Sequence, residues 1–344
     1  MTLNKSDRVE LVHGGGGEAM MNLVNRVIVS KVKIGRIFNG LGIWDLDDGA
    51  SMPIGDFELV FTSDGYTINP LFFPGGDIGK LAITGTINDL SVMGAKPLAI
   101  LDDIIVEEGF PVADLEKIIS SIISVAESLN IAIIGGDFKV MPKGKLDKII
   151  IASTGIGVAE RGRVIRDSGL KPGDKIIVTG TVGEHEIALL SVREGLTFES
   201  NIISDLAPLW PLMEKALKVG GITAAKDPTR GGLASTLNEM AKKSRVCIWI
   251  YEDNIPIRSE VKAACEMLGL DPLYLACEGR AIIGVEASKA EEVLDAIKST
   301  EIGKNATIIG EVRSEPTGYV VLQTTIGGKR VIEPPIGMPL PRIC

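Results

Sequence analysis

Five short segments, each predicted to form a loop, place a carboxylate in a setting that suits a phosphate ligand. They span residues 62–65, 75–79, 88–89, 135–139 and 227–232, and we expect each carboxylate at a strand end or a helix start. Glycine lets a backbone approach a ligand closely, and helix N-termini and turn amides favour phosphate. Carboxylates repel phosphate unless a hard cation such as Mg²⁺ lies between them. Together the segments favour a Mg²⁺–nucleotide site, although a single aspartate such as Asp77 could simply cap a helix.

A run of four glycines, residues 14–17, precedes an amphipathic stretch that starts at Ala19. Such a run could fold over phosphates, with Gly15 and Gly16 beside the nucleotide, but glycine runs are also common flexible linkers. The sequence has no G-x-x-x-x-G-K-[ST] motif, so a Walker A loop is not predicted. With His13 and His185 as the two histidines, a His-centred triad is disfavoured. We expect His185 at the surface or in a helix cap.

Cys344, the last residue of the sequence, follows a segment with prolines at positions 334, 335, 339 and 341. Proline excludes helix and favours an extended conformation of about 3.1 Å per residue, so a dozen residues span roughly 35 Å. Such an arm could carry a thiol into a cleft or out to another protein. The alternative is a frayed tail with an incidental cysteine. Prenylation is disfavoured, because its signal places cysteine fourth from the end.

Composition excludes several classes of protein. The net charge of −9 and the aromatic content of 4% argue against a nucleic-acid surface. No apolar run approaches the roughly 20 residues of a membrane helix, and the first residues lack the apolar core of a signal peptide, so we expect a cytoplasmic protein. The four cysteines form no CxxC pair, which disfavours a structural zinc site. Cys247 and Cys265 are expected to be buried apolar residues.

The helices and strands that must position these residues are expected to form two domains, because a chain of 344 residues is longer than a domain with a single hydrophobic core usually is. We place one domain at residues 1–160, a second at 170–330 and a mobile tail at 331–344, with a polar segment, 161–174, at the boundary. Hydrophobic periodicity predicts helices at 78–93, 112–130, 184–194, 206–219, 232–243, 258–268 and 288–299. It predicts strands at 57–61, 98–101, 148–152, 175–179, 246–251, 280–286, 306–312 and 318–323. The predicted class is α/β (α+β) in each half.

The order of the motifs resembles the ATP-dependent family that includes aminoimidazole ribonucleotide synthetase. The motifs that carry this resemblance lie at residues 13–17, 64–65, 69–77, 88–95, 135–139, 227–233 and 278–280. The terminal Pro341-Arg-Ile-Cys344 narrows the resemblance to the HypE family of [NiFe]-hydrogenase maturation proteins, the carbamoyl dehydratases. The resemblance covers the chain essentially end to end.

This resemblance implies a fold and a reaction. An N-terminal ferredoxin-like half would pair with its twofold mate in a homodimer with a barrel-like core, and a C-terminal α/β half would close an ATP cleft. The partner HypF would place a carbamoyl group on Cys344, and this chain would use ATP and Mg²⁺ to dehydrate it to a thiocyanate. The cyanide would pass to iron in a HypC–HypD complex.

The resemblance also implies roles for individual residues. Asp64, Asp89, Asp137 and Asp227 would hold Mg²⁺ and ATP. Lys139 and Glu278 match the pair that the family uses around the carbamoyl group: Glu278 could accept an N–H proton, and Lys139 could stabilise negative charge on oxygen or phosphate. From the residues alone, a surface salt bridge for Lys139 and an ion pair between Glu278 and Arg280 are the favoured interpretations. Cys277 is expected to pack inward while Glu278 faces the cleft.

Two other classes of protein remain open from the sequence. One is another enzyme of the same superfamily, such as a thiamine-monophosphate kinase or a selenophosphate synthetase. The latter should carry a reactive cysteine near its N-terminal glycines, whereas the first cysteine here is Cys247. The other is a non-enzymatic scaffold that uses Cys344 as a metal ligand, although a lone thiolate is a poor metal site.

Overall fold

The computed structural model describes residues 8–196, 202–335 and 342–344. Its helices are α1 (Gly17–Val27), α2 (Ile78–Val92), α3 (Val112–Ser128), α4 (Glu184–Arg193), α5 (Trp210–Val219), α6 (Gly232–Ser244), α7 (Ser259–Leu268) and α8 (Ala290–Lys298). Its strands are β1 (Ala50–Ile54), β2 (Phe57–Tyr66), β3 (Phe72–Phe73), β4 (Gly76–Asp77), β5 (Lys96–Glu107), β6 (Ala132–Met141), β7 (Ile149–Glu160), β8 (Lys175–Val178), β9 (Ile222–Lys226), β10 (Cys247–Tyr251), β11 (Ile282–Val285), β12 (Thr307–Arg313), β13 (Val320–Gln323) and β14 (Lys329–Ile332).

The N-terminal half is built on a five-stranded sheet in the order β1-β2-β7-β5-β6. Its pairings are antiparallel except for β5 with β6, whose parallel alignment is made possible by the crossover helix α3. Alternate residues of β7, including Ile149, Ile151 and Ser153, are buried. The core of this half combines such sheet residues with α2 and α3. The sheet is open, with β1 and β6 at its edges.

Helix α2 is buried on nearly all sides and carries Asp89 in its last turn. The carboxylate of Asp77 caps its first turn by accepting hydrogen bonds from the backbone N–H groups of Gly79 and Lys80. Gly79 allows α2 to approach α3, because a Cβ atom there would lie 2.3 Å from the carbonyl oxygen of Ile118. Asp77 is therefore explained by capping.

The C-terminal half forms three layers around a seven-stranded sheet in the order β14-β13-β10-β12-β8-β11-β9. Every pairing is antiparallel except β10 with β13. Alternation along β8 separates the two faces: Ile176 and Val178 pack in the cluster with α6, whereas Ile177 packs in the cluster with α5 and α8. This arrangement fixes the strand ends and loops that face the N-terminal half.

The predicted mixed α/β class is confirmed, and each predicted helix is present with its ends shifted by a few residues. Strands β1, β3, β4, β6, β9 and β14 were not predicted. Strand β14 includes residues 331 and 332, so regular structure extends into the range expected for the tail. Residues 336–341 of that tail, and residues 1–7, on which the signal-peptide argument rested, lie outside the described residues. Within the described ranges, none of the helices combines the length and the apolar character needed to cross a bilayer.

Candidate active site

A small cavity of about 50 Å³ lies where the two halves meet. Its lining comprises Asp64, Gly65, Tyr66, Gly85, Asp89, Asp227, Thr229, Arg230, Glu278 and Cys344. Five of the residues that the sequence singled out, four carboxylates and the cysteine, are therefore brought together. Asp64 comes from the end of β2 and Asp89 from α2, while Asp227 directly follows β9 and Glu278 precedes β11.

Three carboxylates of this region could hold a cation. One oxygen from each of Asp48, Asp89 and Asp227 lies within 4.8 Å of the other two. The Oδ2 atom of Asp48 is buried and has no hydrogen-bond partner among the described residues. Oxygen ligands in such a cluster suit Mg²⁺, which binds through carboxylates together with phosphate oxygens. The donor set therefore fits the expected metal.

Sequence reasoning missed Asp48. It lies in the segment Asp47-Asp48-Gly49 just before β1, and that strand was not predicted. The carboxylate-plus-glycine pattern used for the other segments would have found it. The Oδ1 atom of Asp48 forms an ion pair with the ammonium group of Lys226. The pKa of Lys226 is raised well above the usual range, because the negative charges of Asp48, Glu239 and Asp167 outweigh the opposing effect of burial.

Burial and mutual repulsion raise the pKa values of these carboxyl groups. For Asp89 the main cause is burial, followed by the charge of Asp64, and the pKa is raised well above the usual range. The pKa of Asp227 is raised to about 8 by burial and then by Asp48. Burial and then Asp227 raise the pKa of Glu278 strongly. Carboxyl groups packed this closely favour either protonation or a bound cation.

Glu278 presents a free carboxylate oxygen to this region. It is 2% exposed, and its Oε1 atom has no partner among the described residues. Its backbone carbonyl oxygen accepts a hydrogen bond of 3.0 Å from the side chain of Asn88. Arg280 pairs with Asp205 and Glu184, so the alternative ion pair with Glu278 is not formed.

Among the described lining residues, Arg230 is the single cation. The pKa of Arg230 is raised above its usual range, first by the thiolate form of Cys344 and then by Asp64 and Glu278, while burial opposes them. The glycine run lies against this arginine, because a Cβ atom at Gly16 would be 3.1 Å from the Cβ atom of Arg230. Gly16 has a φ of +78°, which favours glycine.

The last residues of the chain are docked at the cavity. The backbone N–H of Thr67 donates to a main-chain carboxylate oxygen of Cys344 at 3.1 Å. Burial raises the pKa of the Cys344 thiol to about 12, although Arg230 opposes this. His185 is fully buried, and its Nε2 atom lies 2.8 Å from the carbonyl oxygen of Ile343. The expectation of a surface or capping role for His185 is therefore wrong, because α4 faces the docked chain end.

Asp137 and Lys139 do not line this cavity. They lie within β6, an edge strand, where they are exposed and form a salt bridge with each other. The expectation of a loop at residues 135–139 is wrong, since these residues pair with β5. Asp64 and Asp89 likewise lie inside a strand and a helix. Of the five segments, only 227–232 is a loop that joins a strand to a helix.

Comparisons with known proteins agree with this architecture. The family "AIR synthase related protein, N-terminal domain" matches residues 46–159, and its C-terminal domain family matches residues 171–323. The carbamoyl dehydratase HypE of Cupriavidus necator is 43% identical over 99% of this chain and 96% of its own length.

Two solved structures are also similar. A HypE–HypF complex contains a chain that is 43% identical, with a TM-score of 0.84, over 91% of this chain and 99% of that one. A HypE structure in complex with ATP is 38% identical, with a TM-score of 0.81, over 98% of this chain and 100% of that one. The chain therefore belongs to the HypE family of carbamoyl dehydratases, within the AIR synthase related proteins.

Proposed function

We propose that this chain is an ATP-dependent carbamoyl dehydratase that acts on its own Cys344 in the maturation of [NiFe]-hydrogenase. The observation that carries the proposal is the position of Cys344 in a cavity that is also lined by Glu278 and by Asp89 and Asp227, two of the three carboxylates suited to Mg²⁺. The substrate would be tethered by its own backbone, so its effective concentration at the site would be high.

The reaction must turn a poor leaving group into a good one. The carbamoyl oxygen of Cys–S–C(=O)–NH₂ attacks the γ-phosphorus of ATP, and the bond to ADP breaks. The C–O bond then breaks as phosphate leaves, and the two N–H protons are lost, which gives Cys–S–C≡N, ADP and phosphate. The chain must align oxygen and phosphorus and supply a proton acceptor.

Glu278 is the proposed acceptor, because its unpaired Oε1 atom lies in the cavity region beside Cys344. Bound Mg²⁺, held by Asp48, Asp89 and Asp227, would neutralise phosphate charge and favour the ionised form of nearby carboxyl groups. Asp64 would complete the acidic lining toward ATP. Arg230 would orient the carbamoyl oxygen. Gly15 and Gly16 would cover the phosphates.

Asp137 and Lys139 require a second chain in this proposal. They lie on the exposed edge strand β6, which we propose as part of a homodimer interface. Lys139 could then stabilise negative charge on oxygen or phosphate across that interface. HypF is the proposed carbamoyl donor, as the similar structure contains a HypE–HypF complex, and a HypC–HypD complex is the proposed cyanide acceptor.

Mass spectrometry of the C-terminal peptide tests the proposal. Carbamoylated protein given ATP and Mg²⁺ should become lighter by one water at Cys344. Glu278→Gln should keep the carbamoyl group and lose water at least about a hundredfold more slowly, a typical effect of removing a general base. Cys344→Ala should bind ATP and accept no carbamoyl group. An unchanged peptide mass in the parent chain, under conditions where ATP binds, would refute the dehydratase proposal.

A further inference from the structure

The backbone on both sides of the Glu278 side chain is held by hydrogen bonds from other segments. The side chain itself is almost fully buried, yet its Oε1 atom has no hydrogen-bond partner among the described residues. The direction of an oxygen without bonds of its own depends on how the flanking peptide groups are fixed. The residues that bond to these peptide groups therefore determine where the free oxygen of Glu278 lies.

A buried aspartate, Asp205, receives the two amide groups nearest to this side chain. Its Oδ1 atom accepts a hydrogen bond of 3.3 Å from the backbone N–H of Glu278, and its Oδ2 atom accepts one of 3.2 Å from that of Gly279. Asp205 lies in the segment before α5, and its side chain is 0% exposed. Both oxygens are used as acceptors, whereas an asparagine at this position would have one acceptor oxygen for the two amides.

The two residues after Glu278 fit this aspartate. A Cβ atom at Gly279 would lie 2.0 Å from the backbone carbonyl oxygen of Asp205, so glycine allows the two segments to come this close. The Nε atom of Arg280 lies 3.6 Å from the Oδ2 atom of Asp205 and balances a charge that would otherwise be buried alone. The motif at residues 278–280 thus contains, in order, the free carboxylate, the point of close approach and the counter-ion.

Asn88 of helix α2 fixes the other side of the same peptide. Its Nδ2 group donates to the carbonyl oxygen of Glu278 at 3.0 Å and to that of Ala207 at 3.3 Å. Its Oδ1 atom accepts a hydrogen bond of 2.8 Å from the backbone N–H of Leu209. Ala207 and Leu209 lie in the segment that carries Asp205. The N–H and the C=O groups of Glu278 are therefore bonded to one connected unit.

We propose that Asp205 is a positioning residue for the dehydration reaction and that it acts through Glu278. With Asn88, it holds the backbone of Glu278 so that the free carboxylate oxygen stays beside Cys344. Asp205 is not part of the cavity lining, so it does not act on the substrate directly. Its effect on the reaction rests on the proposed function, in which Glu278 accepts a proton, whereas its hold on the backbone does not.

Single-turnover dehydration of the carbamoylated chain with ATP and Mg²⁺ measures this role. Asp205→Asn should bind ATP as the parent does and lose water from Cys344 at least about tenfold more slowly, because a displaced reactive group costs rate rather than affinity. In a Glu278→Gln background the same change should have almost no further effect, since a positioning residue acts only through the group that it positions. Asp295→Asn, an exposed change in α8, is the control.

Two kinetic results would overturn the proposal. One is a parent-like rate in Asp205→Asn. The other is an equal slowing with and without Glu278, which would mean that Asp205 acts on the fold or through another group. A parent chain that loses no water under conditions where ATP binds would instead refute the proposed function.

Hydrogen exchange of single backbone amides needs neither ATP nor a carbamoyl group, and it also covers the case in which Asp205→Asn does not fold. In the parent, the amides of Glu278 and Gly279 should exchange at least about a hundredfold more slowly than that of Ile326, a residue that is 94% exposed between β13 and β14. Folded Asp205→Asn should lose this protection at one amide or both, and Asp295→Asn should keep it. Unprotected amides at 278 and 279 in the parent, or full protection of both in Asp205→Asn, would overturn the proposal.

Discussion

Glu186 is a buried carboxyl group that supports the position of Glu278, the proposed proton acceptor. Its Oε2 atom accepts a 2.8 Å hydrogen bond from the backbone N–H of Ala276, two residues before Glu278. Its Oε1 atom is buried without a partner among the described residues. Burial raises the pKa of Glu186 to about 7. The backbone of the segment that carries Glu278 is therefore hydrogen-bonded to a carboxyl group that stays protonated up to neutral pH.

This burial predicts a pH-dependent stability. Between the unfolded pKa of 4.5 and the folded value of about 7, the unfolded state loses the proton and the folded state keeps it. Stability therefore falls as pH rises through this window, by up to about 3 kcal/mol for this group. Glu186→Gln should remove that part of the loss in urea unfolding at pH 5 and pH 8. Glu194→Gln, an exposed change at the end of α4, is the control; equal pH dependence in Glu186→Gln and the parent would contradict the prediction.

At the level of elements, the sequence predicted helices better than strands. Residues 112–130 have a helical periodicity, and α3 spans Val112–Ser128. Segment 135–139 instead suggested a loop, because glycine and aspartate are common in turns. In β6 the glycine serves close backbone packing: Gly136 has a φ of +148°, and a Cβ atom there would lie 2.0 Å from the carbonyl oxygen of Asp102. Pairing with β5 outweighs the local preference for a turn. The sequence of one segment does not show which strand that segment will pair with.

The same limit applies to the candidate site. Asp89 and Asp227 could be singled out from the sequence, because they lie in acidic segments of a type that suits phosphate chemistry, whereas Glu278 was indicated by the resemblance to the family. The proximity of these three side chains could not be predicted, since it depends on how the two halves of the chain pack together. Asp48 was missed because the short β1 that follows it, with Pro53 inside, gave no strand signal.

Strand β6 predicts an interface between two copies of the chain. All ten of its residues are exposed, including Ile134 at 57%, Phe138 at 53% and Val140 at 58%. An unpaired apolar edge strand is an aggregation hazard unless another chain covers it. Light scattering should therefore give a mass about twice 36.6 kDa. Phe138→Lys should lower the measured mass toward that of a single chain, whereas Met267→Lys, an exposed change in α7, should leave it unchanged. A single-chain mass for the parent would exclude this interface.

At the scale of the whole molecule, the candidate site exists only while the two halves stay together. Asp48 and Asp89 belong to the N-terminal half, whereas Asp227 belongs to the C-terminal half. Asn88 crosses the boundary: its side chain bonds to the backbone of Ala207, Glu278 and Leu209. Repulsion among the carboxylates works against this contact, so a cation bound between them should draw the halves together.

Thermal unfolding with and without Mg²⁺ and ATP measures that coupling. A ligand at about 100 times its dissociation constant stabilises the folded state by about 2.7 kcal/mol, so Mg²⁺ with ATP should raise the melting temperature and EDTA should reverse the metal-dependent part. Asp227→Asn should lose the metal-dependent part of this stabilisation. Its ligand-free form should remain at least as stable as the parent, because burial raises the pKa of Asp227 to about 8, so the ionised carboxylate destabilises the folded state when no cation is bound. Asp253→Asn, an exposed change, should respond like the parent. A full metal response in Asp227→Asn would mean that the cation binds without the C-terminal half, and the two halves would then have to be held together by the docked chain end and the contacts of Asn88.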